Sequence, residues 1–286
     1  MTRVIYVNGL YKPYHEAAVH AEDRGFQFGD AVYEVIEVLH GQLVDERRHV
    51  ERLARSLSEL HMDPGMGPSA WAVVLRETMR RNRVTTGLIY LQVSRGAAPR
   101  NFLFPKSGTP LTVVCLARNV DSAAASAAAD RGISVVTRPD PRWVRCDIKT
   151  VMLLPASLAK EEARAEGAQE VWFVNEDGAV TEGGSSNAWI VTKDGTLVTT
   201  PATRAILRGV TRMTAIDVVR AEGMAFEERP FTPEEARGAR EAFITSATNL
   251  VMPVVAIDGQ PIGNGHPGSV SRQLRQNFHS AAERAA

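Results

Sequence analysis

The first 120 residues place apolar positions in short runs separated by turn residues. Val4 to Val7 precedes Asn8-Gly9, a pair that favours the two-residue turn of a β-hairpin. Apolar residues recur at helical spacing in residues 49–60 and again in residues 69–81, so both segments are predicted to be amphipathic helices. Runs rich in apolar and β-branched residues predict further strands at 32–39, 42–44, 88–95 and 111–117.

The rest of the chain repeats this mixture after a segment of different composition. Residues 119–132 are rich in alanine and serine and lack an apolar face, which predicts a linker; a short alanine-rich helix is the alternative. We therefore predict a smaller N-terminal α/β domain at 1–120 and a larger C-terminal α/β domain at 121–286. Strands are predicted at 133–137, 171–175, 188–192, 241–245 and 254–257, and helices at 155–166, 212–222 and 269–286. Mixed strands and helices in two halves indicate the α/β (α+β) class.

Charge and composition exclude several kinds of partner. Lys+Arg and Asp+Glu both number 33, so no net field attracts nucleic acid or an acidic membrane. The two cysteines imply no disulfide framework, and the seven histidines are scattered without ligand spacing, which predicts no metal site. No run of about 18 apolar residues occurs, so a cytoplasmic protein without a membrane span is predicted.

Two segments carry the candidate chemistry. Lys149 follows Arg145-Cys146-Asp147-Ile148 and precedes further apolar residues, and desolvation among such neighbours lowers a lysine's pKa. A neutral lysine is a nucleophile that forms a Schiff base with carbonyls. Glu182 lies 33 residues later in a turn rich in glycine and serine. A carboxylate facing a pyridine nitrogen keeps that nitrogen protonated, as pyridoxal 5'-phosphate (PLP) requires.

These two segments belong to a longer series of motifs. The series comprises Glu22 to Asp30 with Val32 to Val35, His49 to Leu53, Arg95-Gly96 with Pro99-Arg100, Arg142 to Lys149, Thr181 to Asn187, Leu207 to Arg212, and Phe243 to Ser246. In this order the motifs resemble the fold-type IV PLP enzymes, and within them the bacterial D-amino-acid aminotransferases. The resemblance extends from about Tyr6 to about Asp258. It implies a two-domain fold-type IV structure and a homodimer whose active sites form at the domain boundary.

The resemblance implies a set of cofactor-binding residues. Lys149 would be the Schiff-base lysine and the base that moves the substrate's α-proton, and Glu182 would face the pyridine nitrogen. Val210 and Thr211 would offer backbone amides to the phosphate from a helix N-terminus, where the helix dipole favours anions. The further cofactor contacts would come from Arg52 at the phosphate, Leu207 on the pyridine ring, and Ser186, Asn187, Ser246, Ala247 and Thr248. Ala247 departs from the usual threonine, so that hydroxyl contact is in question.

Substrate recognition departs from the family pattern at one position. Tyr33 and Arg100 match the tyrosine and arginine that hold the α-carboxylate, whereas Phe102 stands where these enzymes have a histidine. Phe102 either leaves Arg100 to bind the carboxylate alone or marks a pocket reshaped for apolar substrates. Tyr90 and Val35 would line the same pocket. Arg24, in the Asp-Arg-Gly turn, is predicted to form a structural ion pair.

The predicted function is PLP-dependent transamination of D-amino acids to 2-oxo acids, with 2-oxoglutarate or pyruvate as amino acceptor. The predicted partners are these small molecules and a second copy of the chain, to which the Arg100 loop is lent. The alternatives on the same fold are an (R)-amine transaminase, a branched-chain amino-acid transaminase and aminodeoxychorismate lyase. A catalytically silent PLP-binding or scaffold protein is a further alternative, disfavoured because Lys149 and Glu182 are both present.

Overall fold

The computed structural model describes residues 3–285, which form two compact units. The first unit contains the chain up to Ser122, the segment Ile148–Met152 and the chain from Glu283 onward. The second unit contains Ala123–Asp147 and Leu153–Ala282. The strands are β1 Val4–Val7, β2 Leu10–Pro13, β3 Ala31–Leu39, β4 Gln42–Val44, β5 Thr86–Ser94, β6 Thr112–Asn119, β7 Ile133–Pro139, β8 Glu170–Val174, β9 Val180–Gly183, β10 Asn187–Val191, β11 Leu197–Thr199, β12 Phe226–Glu228, β13 Glu241–Ser246, β14 Leu250–Ile257, β15 Gln260–Pro261 and β16 Arg284–Ala285. The helices are α1 Arg24–Phe28, α2 Glu46–Glu59, α3 Pro68–Arg81, α4 Ser122–Arg131, α5 Leu154–Ala165, α6 Val210–Ala221, α7 Pro233–Arg237 and α8 Ser269–Ala281.

The first unit is built on an antiparallel sheet with strand order β16-β4-β3-β5-β6-β1-β2. Strand β3 alternates between buried residues, such as Val32 and Ile36, and partly exposed residues, such as Tyr33 and Val35. Successive side chains of a strand point to opposite faces. The buried residues of β3 pack with the apolar faces of α2 and α3 in the core of this unit. Tyr33 and Val35 therefore lie on the other face of the sheet.

The second unit contains a mixed sheet with strand order β12-β11-β10-β13-β14-β7-β8-β9. Its parallel neighbours are β7 with β8, β7 with β14, and β11 with β12. Asn187 begins β10 and is paired with Thr245 near the end of β13. Because β10 and β13 are antiparallel, the start of β10 and the end of β13 lie at one edge of the sheet.

The predicted mixture of helices and strands is confirmed, with most boundaries within three residues. The segment 119–132 contains helix α4, so the alanine-rich alternative is correct and the linker prediction is wrong. The helix predicted at 269–286 ends at Ala281, because Ala282 is extended (φ −67°, ψ 138°) and the chain then forms β16 beside β4. Residue 286 of that prediction lies outside the described residues.

The compact units differ from the predicted domains in the placement of Lys149, which was assigned to the C-terminal half. The segment Ile148–Met152 packs with the first unit because it is hydrogen-bonded to β3. The Tyr33 amide donates to the Lys149 carbonyl (3.0 Å), and the Val151 amide donates to the Ala31 carbonyl (3.1 Å). The predicted boundary between residues 120 and 121 remains a prediction.

Candidate active site

Lys149 lies on the partly exposed face of the first sheet. Its main chain is fixed by the bond from Tyr33 and by an isolated bridge between Val32 and Thr150. Nζ of Lys149 lies 4.3 Å above the centre of the Tyr33 ring, and among the described residues of this unit it meets no hydrogen-bond acceptor. The structure therefore presents a lysine whose amine is positioned by an aromatic face and is not engaged in an ion pair within its unit.

Three of the residues predicted to bind substrate, Tyr33, Val35 and Tyr90, lie next to one another. Tyr33 stacks on Tyr90 with ring centres 5.5 Å apart, and Val35 is the cross-strand partner of Tyr90. The Tyr90 hydroxyl donates to Oε1 of Gln92 (2.6 Å). Burial, with a smaller effect of Tyr33, raises the pKa of Tyr90 to about 12, so its hydroxyl stays protonated at neutral pH. Tyr33, Val35 and Tyr90 thus form one polar and aromatic surface.

Arg52 lies on α2 and is paired with a carboxylate in the buried phase of β3. Its Nε and Nη2 donate to Glu34 at 2.8 and 2.6 Å, and Nδ1 of His49 contacts the same carboxylate at 2.7 Å. Burial alone would raise the pKa of Glu34, but Arg52, with a smaller effect of His49, lowers it to about 2. The bidentate pair fixes the orientation of the Arg52 guanidinium. Since Glu34 and Tyr33 are consecutive in β3, Arg52 is on the opposite face of this strand from Tyr33.

The Arg100 loop carries two exposed aromatic side chains, Phe102 and Phe104. The Arg100 guanidinium lies 5.1 Å from the Phe28 ring and 5.7 Å from the Phe102 ring. Phe102 is 82% exposed. The predicted structural ion pair of Arg24 is confirmed: its Nε donates to Asp30 at 2.8 Å, and Arg24 is buried.

Glu182 lies next to the end of β9 in the second unit and accepts hydrogen bonds from Arg142, Asn187 and Leu207. Its Oε2 accepts from Nδ2 of Asn187 (3.0 Å) and from the Leu207 amide (3.0 Å), and its Oε1 accepts from Nη1 of Arg142 (2.5 Å). Arg142 also forms a bidentate pair with Asp140 (2.8 and 2.7 Å). Burial disfavours the charge of Arg142, but the bonds to Asp140 and the charge of Glu182 outweigh it and raise the pKa of Arg142. Glu182 thus faces a permanent cation.

A second carboxylate, that of Glu170, holds the loop between Glu182 and Asn187. Buried Glu170 accepts from the hydroxyls of Ser185 (3.0 Å) and Ser186 (3.2 Å), and Lys160 contacts it at 3.4 Å. Because the Ser186 hydroxyl is engaged in this way, Ser186 supports the loop that carries Glu182.

The N-terminus of α6 lies beside Asn187. Gly209 is its N-cap and has no side chain to accept from the first-turn amides. A Cβ on Gly209 would lie 2.1 Å from Oδ1 of Asn187, so only glycine fits here. Asn187 also donates to the Leu207 carbonyl (2.9 Å), which ties Glu182 to the residues that precede the helix. The amides of Val210 and Thr211 therefore open the helix at the sheet edge where β10 begins.

The end of β13 and the loop after it contain Ser246, Ala247 and Thr248, which are also predicted to contact the phosphate. The hydroxyls of Ser246 and Thr248 are 3.2 Å apart, and the Asn249 amide donates to Ser246 (3.2 Å). Ala247 between them contributes only its backbone. Since Ser246 follows Thr245, the partner of Asn187, this loop is at the same sheet edge as the start of β10.

This edge fits the cofactor that the sequence predicts. A carboxylate fixed by three donors suits a protonated pyridine nitrogen. A helix N-terminus without a side-chain cap, next to a turn with two hydroxyls, suits a phosphate. Both features are formed by residues within the second unit, and Leu207 lies in the chain between them.

Sequence reasoning missed two positioning groups. Arg142 belongs to the motif that ends at Lys149, but no periodic signal indicates its pairing with Glu182, which is 40 residues away. Glu34 had a detectable signal, because a charge in the apolar phase Val32-Glu34-Ile36 of a strand requires a buried partner.

Across residues 3–285 no group of three or more His, Cys, Asp or Glu side chains is arranged to hold a metal ion. Within the same residues, no helix has the length and apolar character needed to span a membrane.

Comparison with known proteins places these features in a family. Residues 31–257 match the model of the class IV aminotransferases. The chain is 38% identical over 283 residues to a D-alanine aminotransferase of Staphylococcus haemolyticus, with 99% of each chain covered. The T.th. branched-chain amino acid aminotransferase with pyridoxamine 5'-phosphate has 26% identity and a TM-score of 0.89, covering 97% of this chain and 93% of that one. The branched-chain enzyme of Escherichia coli has a TM-score of 0.91 at 24% identity, covering 98% and 94%, and is similar in fold.

Proposed function

The chain belongs to the class IV aminotransferase family, and we propose that it transfers the amino group of D-amino acids to a 2-oxo acid. Pyridoxal phosphate is the cofactor of this family. The observation that carries the D-amino-acid assignment is the near-complete coverage of a D-alanine aminotransferase at 38% identity. Tyr33 and Arg100, the two residues predicted to hold an α-carboxylate, support the same substrate class.

Glu182 and Arg142 set the electrostatics at the pyridine nitrogen. When bound, pyridoxal phosphate supplies an aldehyde that accepts the amino group and a protonated ring that stabilises the electron pair left when Cα loses its proton. Glu182 provides the negative charge that keeps the ring nitrogen protonated. Arg142, together with Asn187 and the Leu207 amide, fixes the direction of the Glu182 carboxylate.

Lys149 is proposed to hold the cofactor aldehyde through Nζ and then to act as the base at the substrate's Cα. Support comes from its amine, which lies over the Tyr33 ring rather than in an ion pair within its unit. Substitution of Lys149 by alanine should abolish turnover while leaving the thermal midpoint unchanged. Lys193→Ala, at an exposed position, is the matched control. Turnover by Lys149→Ala in the absence of added amines would overturn the role of this lysine.

The phosphate is proposed to bind at the Val210 and Thr211 amides and at the loop Ser246 to Thr248. The uncapped start of α6 supports this role, since first-turn amides and the helix dipole favour an anion. Arg52 is proposed to add a positive charge, with its guanidinium oriented by Glu34. Ala247 contributes an amide rather than a hydroxyl.

A substrate panel tests the proposal. Purified protein is incubated with pyridoxal phosphate, a series of D- and L-amino acids, and 2-oxoglutarate or pyruvate as acceptor. D-alanine should be consumed much faster than L-alanine, with stoichiometric formation of 2-oxo acid. Faster turnover of L-leucine or L-valine would overturn the assignment in favour of a branched-chain transaminase, and turnover of (R)-amines alone would favour an amine transaminase.

We also propose that the active form is a cytoplasmic homodimer. Three apolar side chains of the Arg100 loop, Phe102, Leu103 and Phe104, are 82%, 76% and 58% exposed, which supports burial against a second copy. Light scattering at assay concentrations should give twice the monomer mass of 31.2 kDa. An active monomer would contradict the dimer, and cell fractionation tests the location.

A further inference from the structure

Two arginine side chains of the first unit lie near the Phe28 ring. The guanidinium of Arg24 is 4.5 Å from the Phe28 ring centre, and that of Arg100 is 5.1 Å from it. The Phe102 ring meets Phe28 edge-on at 5.8 Å and lies 5.7 Å from Arg100. Arg100 is therefore bordered by two aromatic rings, and within residues 3–285 it forms neither a hydrogen bond nor an ion pair.

The backbone that carries Phe28 is held by local hydrogen bonds and by an ion pair. Phe28 ends α1, whose first turn is capped by Asp23 (2.8 Å to the Gly25 amide) and whose last turn closes at Gly29 in the left-handed region (φ 69°). Arg24 is buried and is bonded to Asp30 at 2.8 Å. The capped helix and the buried ion pair thus fix the segment that carries Phe28.

The same arginine also fixes the loop that carries Arg100. Nη1 of Arg24 donates to the carbonyls of Asn101 (2.6 Å) and Leu103 (3.4 Å). These carbonyls flank Phe102, so Arg24 holds the backbone on both sides of the residue that replaces the family's histidine. The conformation of the loop and the position of Arg100 consequently depend on the same two residues, Arg24 and Phe28.

We propose that Phe28 and Phe102 are positioning residues for Arg100, which they hold ready for the α-carboxylate of the D-amino acid or 2-oxo acid. A guanidinium that stacks on a ring keeps its in-plane N–H groups available for a bidentate carboxylate. A side chain ordered before binding loses less conformational entropy on binding. Phe102 therefore replaces the histidine's hydrogen bond by ordering the arginine, and carboxylate recognition is retained. This inference rests on the proposed function.

The test compares leucine substitutions that remove a ring and keep the site apolar. Phe28→Leu and Phe102→Leu should each raise the KM for D-alanine and for pyruvate by about threefold to tenfold, the range expected for loss of a cation–ring contact, with kcat nearly unchanged. Phe28→Tyr, which keeps the ring, should retain the wild-type KM. Phe26→Leu is the matched control, because Phe26 is in the same helix, is 76% exposed and has no ring contact with Arg100.

Calorimetric binding of propanoate provides a readout apart from turnover. Affinity should fall in both leucine variants and in Arg100→Ala, and adding Phe28→Leu to Arg100→Ala should cause no further loss. Because Phe102 is exposed within its own unit, its leucine variant should fold normally, which a thermal melt checks, and light scattering checks that the proposed dimer persists. Independent effects of Phe28→Leu and Arg100→Ala, or wild-type affinity in both leucine variants, would overturn the positioning inference alone. Wild-type propanoate affinity in Arg100→Ala would overturn the carboxylate role of Arg100 and with it the positioning inference, whereas no D-alanine turnover by the wild-type enzyme would overturn the proposed function itself.

Discussion

At the residue scale, the pairing of Arg142 with Glu182 decides how the cofactor ring would be held. Glu182 contacts the guanidinium of Arg142 at 2.5 Å, and a nearby cation favours the charged form of a carboxylate. Glu182 is therefore a prepared negative charge, rather than one created by ligand binding. Such preparation reduces the reorganisation needed during the reaction, which is the usual source of electrostatic catalysis.

Removing the charge of Glu182 should affect chemistry far more than folding. We expect Glu182→Gln to lower the single-turnover rate by about 100-fold or more, the size typical of a lost electrostatic contact in an active site. Stopped-flow absorbance of the half-reaction with D-alanine measures this rate. Glu227→Gln, at an exposed carboxylate of the same unit, should leave it unchanged.

The variant Arg142→Gln provides a second test of the role of Glu182. The variant should lower the same rate by a smaller factor, because Glu182 retains its charge but loses one of its three donors. A wild-type rate in Glu182→Gln would show that the carboxylate does not act on the ring nitrogen.

At the element scale, the glycine that begins α6 joins the helix to Asn187. We expect Gly209→Ala to weaken pyridoxal phosphate binding by about tenfold or more, because the new Cβ would displace Asn187 and the first-turn amides together. Fluorescence titration of the apoprotein with the cofactor measures the affinity. Gly67→Ala is the matched control: Gly67 is the N-cap of α3, and a Cβ there meets no atom within 4 Å. Equal affinities of both variants would refute the phosphate role of α6.

How much of this could be predicted from sequence also differs from element to element. Helix α2 and strand β3 follow from apolar spacing, because one face of each is buried in its own unit. The Lys149 segment and the Glu182 loop were found by their motifs. The contact of Arg142 with Glu182 and that of Phe28 with Arg100 were not predictable, since each joins residues far apart in sequence through tertiary packing that no local periodicity records. The start of β16 was missed because its strand partner, β4, lies far earlier in the sequence.

At the scale of the whole molecule, the buried cluster of Glu34, His49 and Arg52 links stability to pH. The pKa of Glu34 is lowered from its usual 4.5 to about 2, so its contribution, about 3 kcal/mol by proton linkage, is present above pH 4.5 and lost as pH falls toward 2. Burial also lowers the pKa of His49 despite the opposing charge of Glu34. Below its usual 6.5 the unfolded histidine therefore binds a proton that the folded one does not.

Acidification should consequently destabilise the fold from about pH 6.5 downward. Urea unfolding at about pH 7.5, 6.5 and 5.5 should give a falling free energy of unfolding, and His49→Gln should flatten this slope. His266→Gln, at an exposed histidine, should preserve it. An identical slope in wild type and His49→Gln would show that His49 does not carry the dependence.

The hydrogen bond between the Glu283 amide and Asp45 joins residues 238 positions apart, and it closes the edge of the first sheet where β16 meets β4. During synthesis at about 5–20 residues per second, β4 would emerge roughly 10 to 50 s before its edge partner. Throughout that interval the nascent first unit has an unpaired strand at this edge, open to pairing with another chain. Strand β16 thus completes this edge of the first unit only after the roughly 240 residues that separate it from β4 have been made, and pairing with another chain is open until then.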